Sequence, residues 1–327
     1  MTDYNYFSFL GENPPNVKLL GGKGANLFKL YQKSIKIPPC FILNTRAYIE
    51  AISKLQISKK IEFFFSRSNP HKEVVTFSDN IITEILNYEF PKEFILELKQ
   101  ALTRFKKNLG RKISFAIRSS TNIEDQVQFS FAGQAESYLF NNTLAQIIQS
   151  IKQCWASIFS PQSLLYILKS KQRGLKLPAI EMAVIVQEMI DSDIAGVLFT
   201  INVLNNNENQ MLINSNWGLC ETVTNNSVIP DLIILDKINF KVVNIKIGDK
   251  KIRSAKNPNG PFTIMVKNEP GLMKELCLQN EHLLKIYNLG LNIEKIFDYP
   301  QDIEWAFKND ILYTLQSRPI TSISLNE

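Results

Sequence analysis

The sequence predicts an α+β fold of two lobes, and three observations carry that expectation. The 327 residues are enough for about two domains at roughly 150 residues each. The first half reads as mostly helical, whereas the second half reads as a succession of short strands. Hydrophobic residues make up 45% and charged residues 21%, as in ordinary globular proteins, which excludes collagen-like and disordered classes. The expected boundary puts a helix-rich lobe at 1–190 and a sheet-rich lobe at 191–327.

The elements follow in order. From Gly21 a glycine loop leads into an amphipathic helix with Leu27 and Leu30 on one face. Pro38-Pro39 introduces a strand at 40–43, after which Thr45 suits the cap of the next helix. Residues 50–110 are expected to be mostly helical, punctuated by Pro70 and Pro91. A strand at 112–117 runs into a polar loop at 118–130, and a short strand follows at 138–140. Helices are expected at about 143–158 and 161–173, the second opened by Pro161 at a permitted first-turn position. Strands at 180–190 and 195–201 flank the acidic turn Asp191-Ser192-Asp193. Further strands fall at 211–215, 232–235, 242–247 and 262–266, then a helix at about 272–288. Two strands close the chain around Lys308-Asn309-Asp310.

Lys+Arg 37 against Asp+Glu 31 leaves +6, which suits anionic ligands but falls short of a nucleic-acid footprint. Neither nucleic acid nor a membrane is expected as a partner. Met1-Thr2-Asp3-Tyr4-Asn5-Tyr6 lacks the positive start of a signal peptide, and no run of about 18 apolar residues occurs, so a cytoplasmic protein is expected. Cys40, Cys154, Cys220 and Cys277 are widely spaced and expected to be buried thiols. His71 and His282, in unrelated polar segments, argue against a histidine metal site.

Three stretches could carry chemistry. Gly21-Gly22-Lys23-Gly24 puts glycines and a lysine at a helix start, where backbone N–H groups favour an anion. A plain structural turn would use the same residues. Arg118 directly follows a strand and can hold a phosphate bidentately, with Ser119, Ser120 and Thr121 supplying hydroxyls. The closing strands are the sharpest feature. Period-two alternation turns Ile303, Trp305 and Phe307 inward and leaves Asp302 and Glu304 together on the other face. Thr314, Gln316 and Arg318 alternate likewise on the return strand. With a three-residue loop, Glu304 opposes Thr314 and Asp302 opposes Gln316; a two-residue loop sends Gln316 to the other face. Such oxygen donors beside an arginine suit Mg²⁺ bridging phosphates, although a solvated hairpin with charge pairs would look similar.

These stretches occur in order with Glu124-Asp125, Phe131-Ala132-Gly133-Gln134, Gln187-Glu188-Met189, Gly196-Val197-Leu198-Phe199-Thr200, Trp217-Gly218-Leu219, Pro230-Asp231 and Leu315-Gln316-Ser317-Arg318-Pro319. Together they resemble the N-terminal ATP-binding domain of phosphoenolpyruvate synthase, pyruvate phosphate dikinase and rifampin phosphotransferase. The resemblance implies an ATP-grasp fold with the nucleotide in a cleft between two lobes. It implies that Lys23, Arg118 and Arg318 contact the phosphates of ATP. Glu304 and Gln316 would hold Mg²⁺, with Asp302 alongside. Gly133 would belong to a loop over the nucleotide, with Ser137 near it, and Gln187, Glu188 and Met189 would line the adenine pocket. The implied catalytic set is Arg118, Glu304, Gln316 and Arg318. The chain departs from the family pattern at Cys220, where the family has glycine, and at Ile229, where it has asparagine. Neither histidine lies in a swivelling-domain motif, so the implied acceptor is a phosphorylatable histidine on a separate chain or further domain. Direct phosphorylation of a small molecule and a non-catalytic nucleotide-binding module are the alternatives.

Overall fold

The computed structural model describes residues 5–66, 70–110, 113–123, 137–172, 180–260 and 262–320. The fold is α+β. Two compact units divide it: Met1–Ala25 with Pro39–Glu188, and Asn26–Pro38 with Met189–Glu327.

The first unit holds a five-stranded antiparallel sheet ordered β1-β2-β5-β3-β4. Its strands are β1 (Phe7–Phe9), β2 (Cys40–Leu43), β3 (Phe115–Thr121), β4 (Ser137–Asn141) and β5 (Met182–Glu188). Helices α2 (Thr45–Lys54), α3 (Ile57–Phe65), α4 (Pro70–Leu86), α5 (Lys92–Leu109), α6 (Leu144–Ser157) and α7 (Pro161–Gln172) supply most of the remaining chain. Their apolar faces and the sheet share one core, in which Phe41, Phe94, Phe115, Ile117, Val184, Val186 and Trp155 are buried. Two sequence expectations need correction. Asn44, not Thr45, caps α2, accepting from the Arg46 amide at 3.1 Å, while the Thr45 hydroxyl donates to the Lys18 carbonyl at 2.7 Å. Residues 118–121 are strand rather than loop, because β3 continues along β5 as far as the Thr121–Met182 pair. The first residues of α1 (Val17–Gln32) also belong here; the helix is interrupted at Gly21, whose φ of 68° and ψ of 174° are not helical.

The second unit is built on a six-stranded antiparallel sheet ordered β13-β12-β6-β7-β8-β9. The strands are β6 (Ile194–Phe199), β7 (Gln210–Trp217), β8 (Asp231–Asp236), β9 (Val242–Lys246), β12 (Gln301–Lys308) and β13 (Ile311–Pro319). A separate hairpin pairs β10 (Ile252–Lys256) with β11 (Thr263–Lys267). Short helices α8 (Glu221–Thr224) and α9 (Pro270–Lys274) accompany it. The long helix α10 (Asn280–Phe297) packs on β12 and β6, and the His282 ring lies 4.5 Å from the Phe307 ring. It extends well past the expected end because Gly290 does not terminate it. A Cβ there would lie 2.9 Å from Leu198 and 3.1 Å from Met211, so glycine lets the helix approach the sheet. At the far edge, β9 is exposed along its length, including Val242, Val243 and Ile245.

Candidate functional site

The candidate residues fall on both units, and each set is built differently. In the first unit, strand alternation puts Ala116, Arg118 and Ser120 on one face of β3 and Gln187 on the same face of β5. Ser137 on β4 pairs directly with Arg118. The start of α1 lies against this face. The Gly24 amide donates to the Ser120 hydroxyl at 3.0 Å, and that hydroxyl donates to the Leu20 carbonyl at 2.8 Å. A Cβ on Gly21 would come within 2.2 Å of the Ser120 carbonyl oxygen, and one on Gly24 within 2.7 Å of Ile42. The glycines therefore serve close packing of helix on strand. Lys23 is buried, with its ammonium 3.5 Å from the Ser119 carbonyl, the residue after Arg118. Gln187 and Glu188 are also buried, and the Glu188 amide is committed to the Pro39 carbonyl at 2.8 Å. Gly133 and the motif residues around it, with Glu124-Asp125, lie outside the described residues.

In the second unit the closing hairpin differs from the expected register and still brings Asp302, Glu304, Gln316 and Arg318, but not Thr314, to one face. Lys308 pairs with Ile311, so the loop is the two-residue Asn309-Asp310. Both loop residues have positive φ, 48° and 59°, the geometry that suits a tight hairpin and that Asn and Asp tolerate. Asp193 fastens this loop: its carboxylate accepts from the Lys308 ammonium and the Asn309 amide, both at 2.8 Å. The lost residue is recovered by a bulge at the Glu304/Trp305 step, where Trp305 pairs with Thr314 and Glu304 with Gln316, leaving Leu315 as the extra residue. Thr314 thereby shares the inward face of Trp305 and is fully buried, contrary to the expectation that it would join Gln316. Asp302 opposes Arg318 instead of Gln316. Ile303, Trp305 and Phe307 are buried as alternation requires.

The assembled face carries Asp302 and Glu304 on β12 and Gln316 and Arg318 on β13. Arg318 donates Nε and Nη2 to the same Asp302 oxygen, at 2.9 and 2.8 Å. Burial pushes the Asp302 carboxyl above its ordinary value; the Arg318 charge and hydrogen bond oppose this, and Glu304 adds to it. A buried acid crowded by a second acid is electrostatically suited to a cation, and Glu304 with Gln316 offers hard oxygen donors side by side. Among the described residues no three His, Cys, Asp or Glu side chains form a metal cage. The Glu304–Gln316 pair fits Mg²⁺, which is commonly held by one or two carboxylates together with substrate phosphates. Beside these residues lies an apolar cluster of Ile190, Ala195, Val197, Cys220, Val223 and Ala306, with Phe199, Tyr313 and Leu315 packed against it. Met189, expected at the adenine pocket, precedes Ile190 of that cluster.

Two motifs have structural roles that the sequence reading missed. The Leu219 amide donates to the Ser254 carbonyl at 3.0 Å, and the Trp217 indole donates to the Leu272 carbonyl at 2.9 Å, docking β10 and α9. Asp231 is fully buried with Lys250 at 2.5 Å, and also accepts from the Gly248 and Cys277 amides, each at 2.9 Å. The available signal was an aspartate opening an apolar strand, where an unpaired charge would be costly.

The family described as pyruvate phosphate dikinase, AMP/ATP-binding domain, matches residues 17–327. The chain is 31% identical to the phosphoenolpyruvate synthase of Pyrococcus furiosus, over 97% of this chain and 44% of the relative. It is 30% identical to the probable phosphoenolpyruvate synthase of Methanocaldococcus jannaschii, over 94% of this chain and 26% of the relative. It is also 30% identical to the rifampicin phosphotransferase of Bacillus subtilis, over 94% of this chain and 35% of the relative. The chain thus spans less than half the length of these relatives.

Proposed function

Because this chain belongs to the pyruvate phosphate dikinase AMP/ATP-binding domain family, we propose that it performs the ATP half of a dikinase-type phosphotransfer on an ATP-grasp fold, with the nucleotide held between two lobes. The observation that carries the proposal is the bulge-built face on β12 and β13, where Glu304 opposes Gln316 and Asp302 opposes Arg318. Glu304 and Gln316 would hold Mg²⁺, which when bound neutralises phosphate charge. Asp302 orients the Arg318 guanidinium through two bonds to one oxygen, and the guanidinium would neutralise phosphoryl charge. Lys23 and Arg118 would serve the phosphates, with Ser137 beside Arg118. Gln187, Glu188 and Met189 serve the adenine end. At Glu188 this role falls to groups other than its amide, which Pro39 already occupies.

The acceptor in this reading is a histidine on another chain or a further domain, supported by relatives that extend well beyond the matched region. Calorimetric titration of ATP with and without Mg²⁺ tests the site. Arg318→Ala should weaken Mg²⁺-dependent ATP binding by about ten- to a hundred-fold, the equivalent of a charge-assisted hydrogen bond worth roughly 1.5–3 kcal/mol. Arg46→Ala, which removes an exposed arginine bonded to Asn5, should leave it unchanged. Equal effects from the two variants would overturn the assignment.

A further inference from the structure

β13 is an edge strand of its sheet. A bulged edge strand lacks a second neighbouring strand to fix its register. The segment Asn26–Pro38, which belongs to the same unit, takes that place. The Thr314 amide donates to the Lys36 carbonyl at 2.9 Å. The Asn26 side-chain amide donates to the Ser317 carbonyl at 3.0 Å. These bonds fall on either side of Leu315, the extra residue of the bulge. Nearby, the Lys36 ammonium lies 5.5 Å from the Tyr313 ring centroid and the Lys29 ammonium 4.5 Å from that of Phe297. The Ser317 hydroxyl donates to Gln301 at 2.8 Å, so residue 317 is held from both sides.

We propose that Asn26 is a positioning residue for the Mg²⁺-nucleotide site: by gripping the Ser317 carbonyl it holds the bulge register that sets Gln316 opposite Glu304 and Arg318 opposite Asp302. This rests on the reading of that face given above. Ser317 lies between the two functional side chains, so a shift of its peptide moves both. Without the bulge, the two-residue loop would carry Gln316 opposite Ile303, onto the inward face. The grip needs a donor. Aspartate at position 26 keeps the shape but sets a carboxylate against a carbonyl oxygen, alanine removes the bond, and glutamine keeps an amide on a longer stem.

The test compares Asn26→Asp, Asn26→Ala and Asn26→Gln in the full chain by circular dichroism, thermal unfolding and Mg²⁺ titration in the presence of ATP. Groups that orient metal ligands typically account for about ten- to a hundred-fold in affinity. Asn26→Asp and Asn26→Ala should therefore raise the half-maximal Mg²⁺ concentration by about tenfold, and Asn26→Gln should recover most of the loss. A folded Asn26→Asp or Asn26→Ala protein with the wild-type Mg²⁺ requirement would overturn the proposal, whatever its Tm. Should neither variant fold, hydrogen exchange of the wild-type Asn26 side-chain amide decides. Slowed exchange supports the grip, and exchange at the rate of an exposed asparagine refutes it. A wild-type chain that binds no ATP in Mg²⁺ would instead remove the reading of the face, and the exchange measurement would still judge the grip.

Discussion

Gly21→Ala separates the packing role of the glycine motif from any role in holding an anion. Gly21 has φ 68° and ψ 174°, a region essentially reserved for glycine, which costs other residues about 1–3 kcal/mol. A Cβ would also lie 2.2 Å from the Ser120 carbonyl oxygen and 2.3 Å from its hydroxyl. Forcing a methyl into a packed interior costs about 1–3 kcal/mol, so the expected loss is about 2–6 kcal/mol. The nearest atom is backbone, so no side-chain change at position 120 should relieve it. Two other glycines calibrate the measurement. Gly110 has φ +64° with nothing within 4 Å, so Gly110→Ala should cost only the left-handed conformation, about 1–2 kcal/mol. Gly271 has open space and ordinary φ, and alanine there should be neutral or stabilising by roughly 0.4–1 kcal/mol. The assay is urea-dependent hydrogen exchange of peptides from β3 and β5 for the first two variants, with an α9 peptide for the third. A Gly21→Ala protein no less stable than Gly110→Ala would refute the close-packing argument.

Other outcomes follow from buried or clamped charges. Lys250→Met leaves Asp231 buried beside two backbone amides without its cation, and should destabilise the second unit by about 3–5 kcal/mol in chemical denaturation; a loss below about 1 kcal/mol would contradict the pairing. Burial alone would raise the Asp193 carboxyl, but the Lys308 ammonium and the Asn309 amide outweigh it and hold the group below its ordinary 3.8. A depressed acid contributes stability that is present above its unfolded value and lost as pH falls through the folded one. Asp193→Asn should therefore flatten the stability loss below about pH 4, and an unchanged acid-unfolding curve would refute the clamp. His282 accepts from the Gln279 amide at 3.2 Å through Nδ1 and meets Asp310 at 3.0 Å through Nε2. With γ-labelled ATP, Mg²⁺ and no partner, it should take up no acid-labile phosphate, and stoichiometric label on His282 or His71 would overturn the external-acceptor reading.

Local patterns were legible in the sequence to the extent that their causes were local. Period-two alternation identified Ile303, Trp305 and Phe307 as inward-facing, because a strand's side chains alternate whatever lies beyond it. The hairpin loop was misread, because a bulge compensates for it in a stretch of β13 that bonds to Lys36 and Asn26, almost 300 residues away in sequence. Arg118, Ser119 and Ser120 looked like a loop because they are polar, yet they are buried in a central strand against a helix that glycine allows to approach. The last helix runs past its expected end at 288, and the missing side chain of Gly290 makes room there for Leu198 and Met211. The membership of residues 26–38 in the second unit has no local signature at all. The candidate face was therefore legible as a set of residue types, and its register only from the folded chain.

The exposed strand β9 has a consequence for the protein in solution. Among the described residues its outer side meets no further strand, and its own Val243 and Ile245 stand exposed, with Ile247 just past its end. Such a strand is a template for stacking one molecule on another, and lysines nearby are a common guard against it. Here the guards are Lys241 and Lys246. Their reach is about 10 Å in 0.1 M salt and about 3 Å in 1 M salt. Concentrated salt, which keeps many proteins dispersed, should therefore disarm the guard and promote turbidity, while dilute buffer keeps the chains apart.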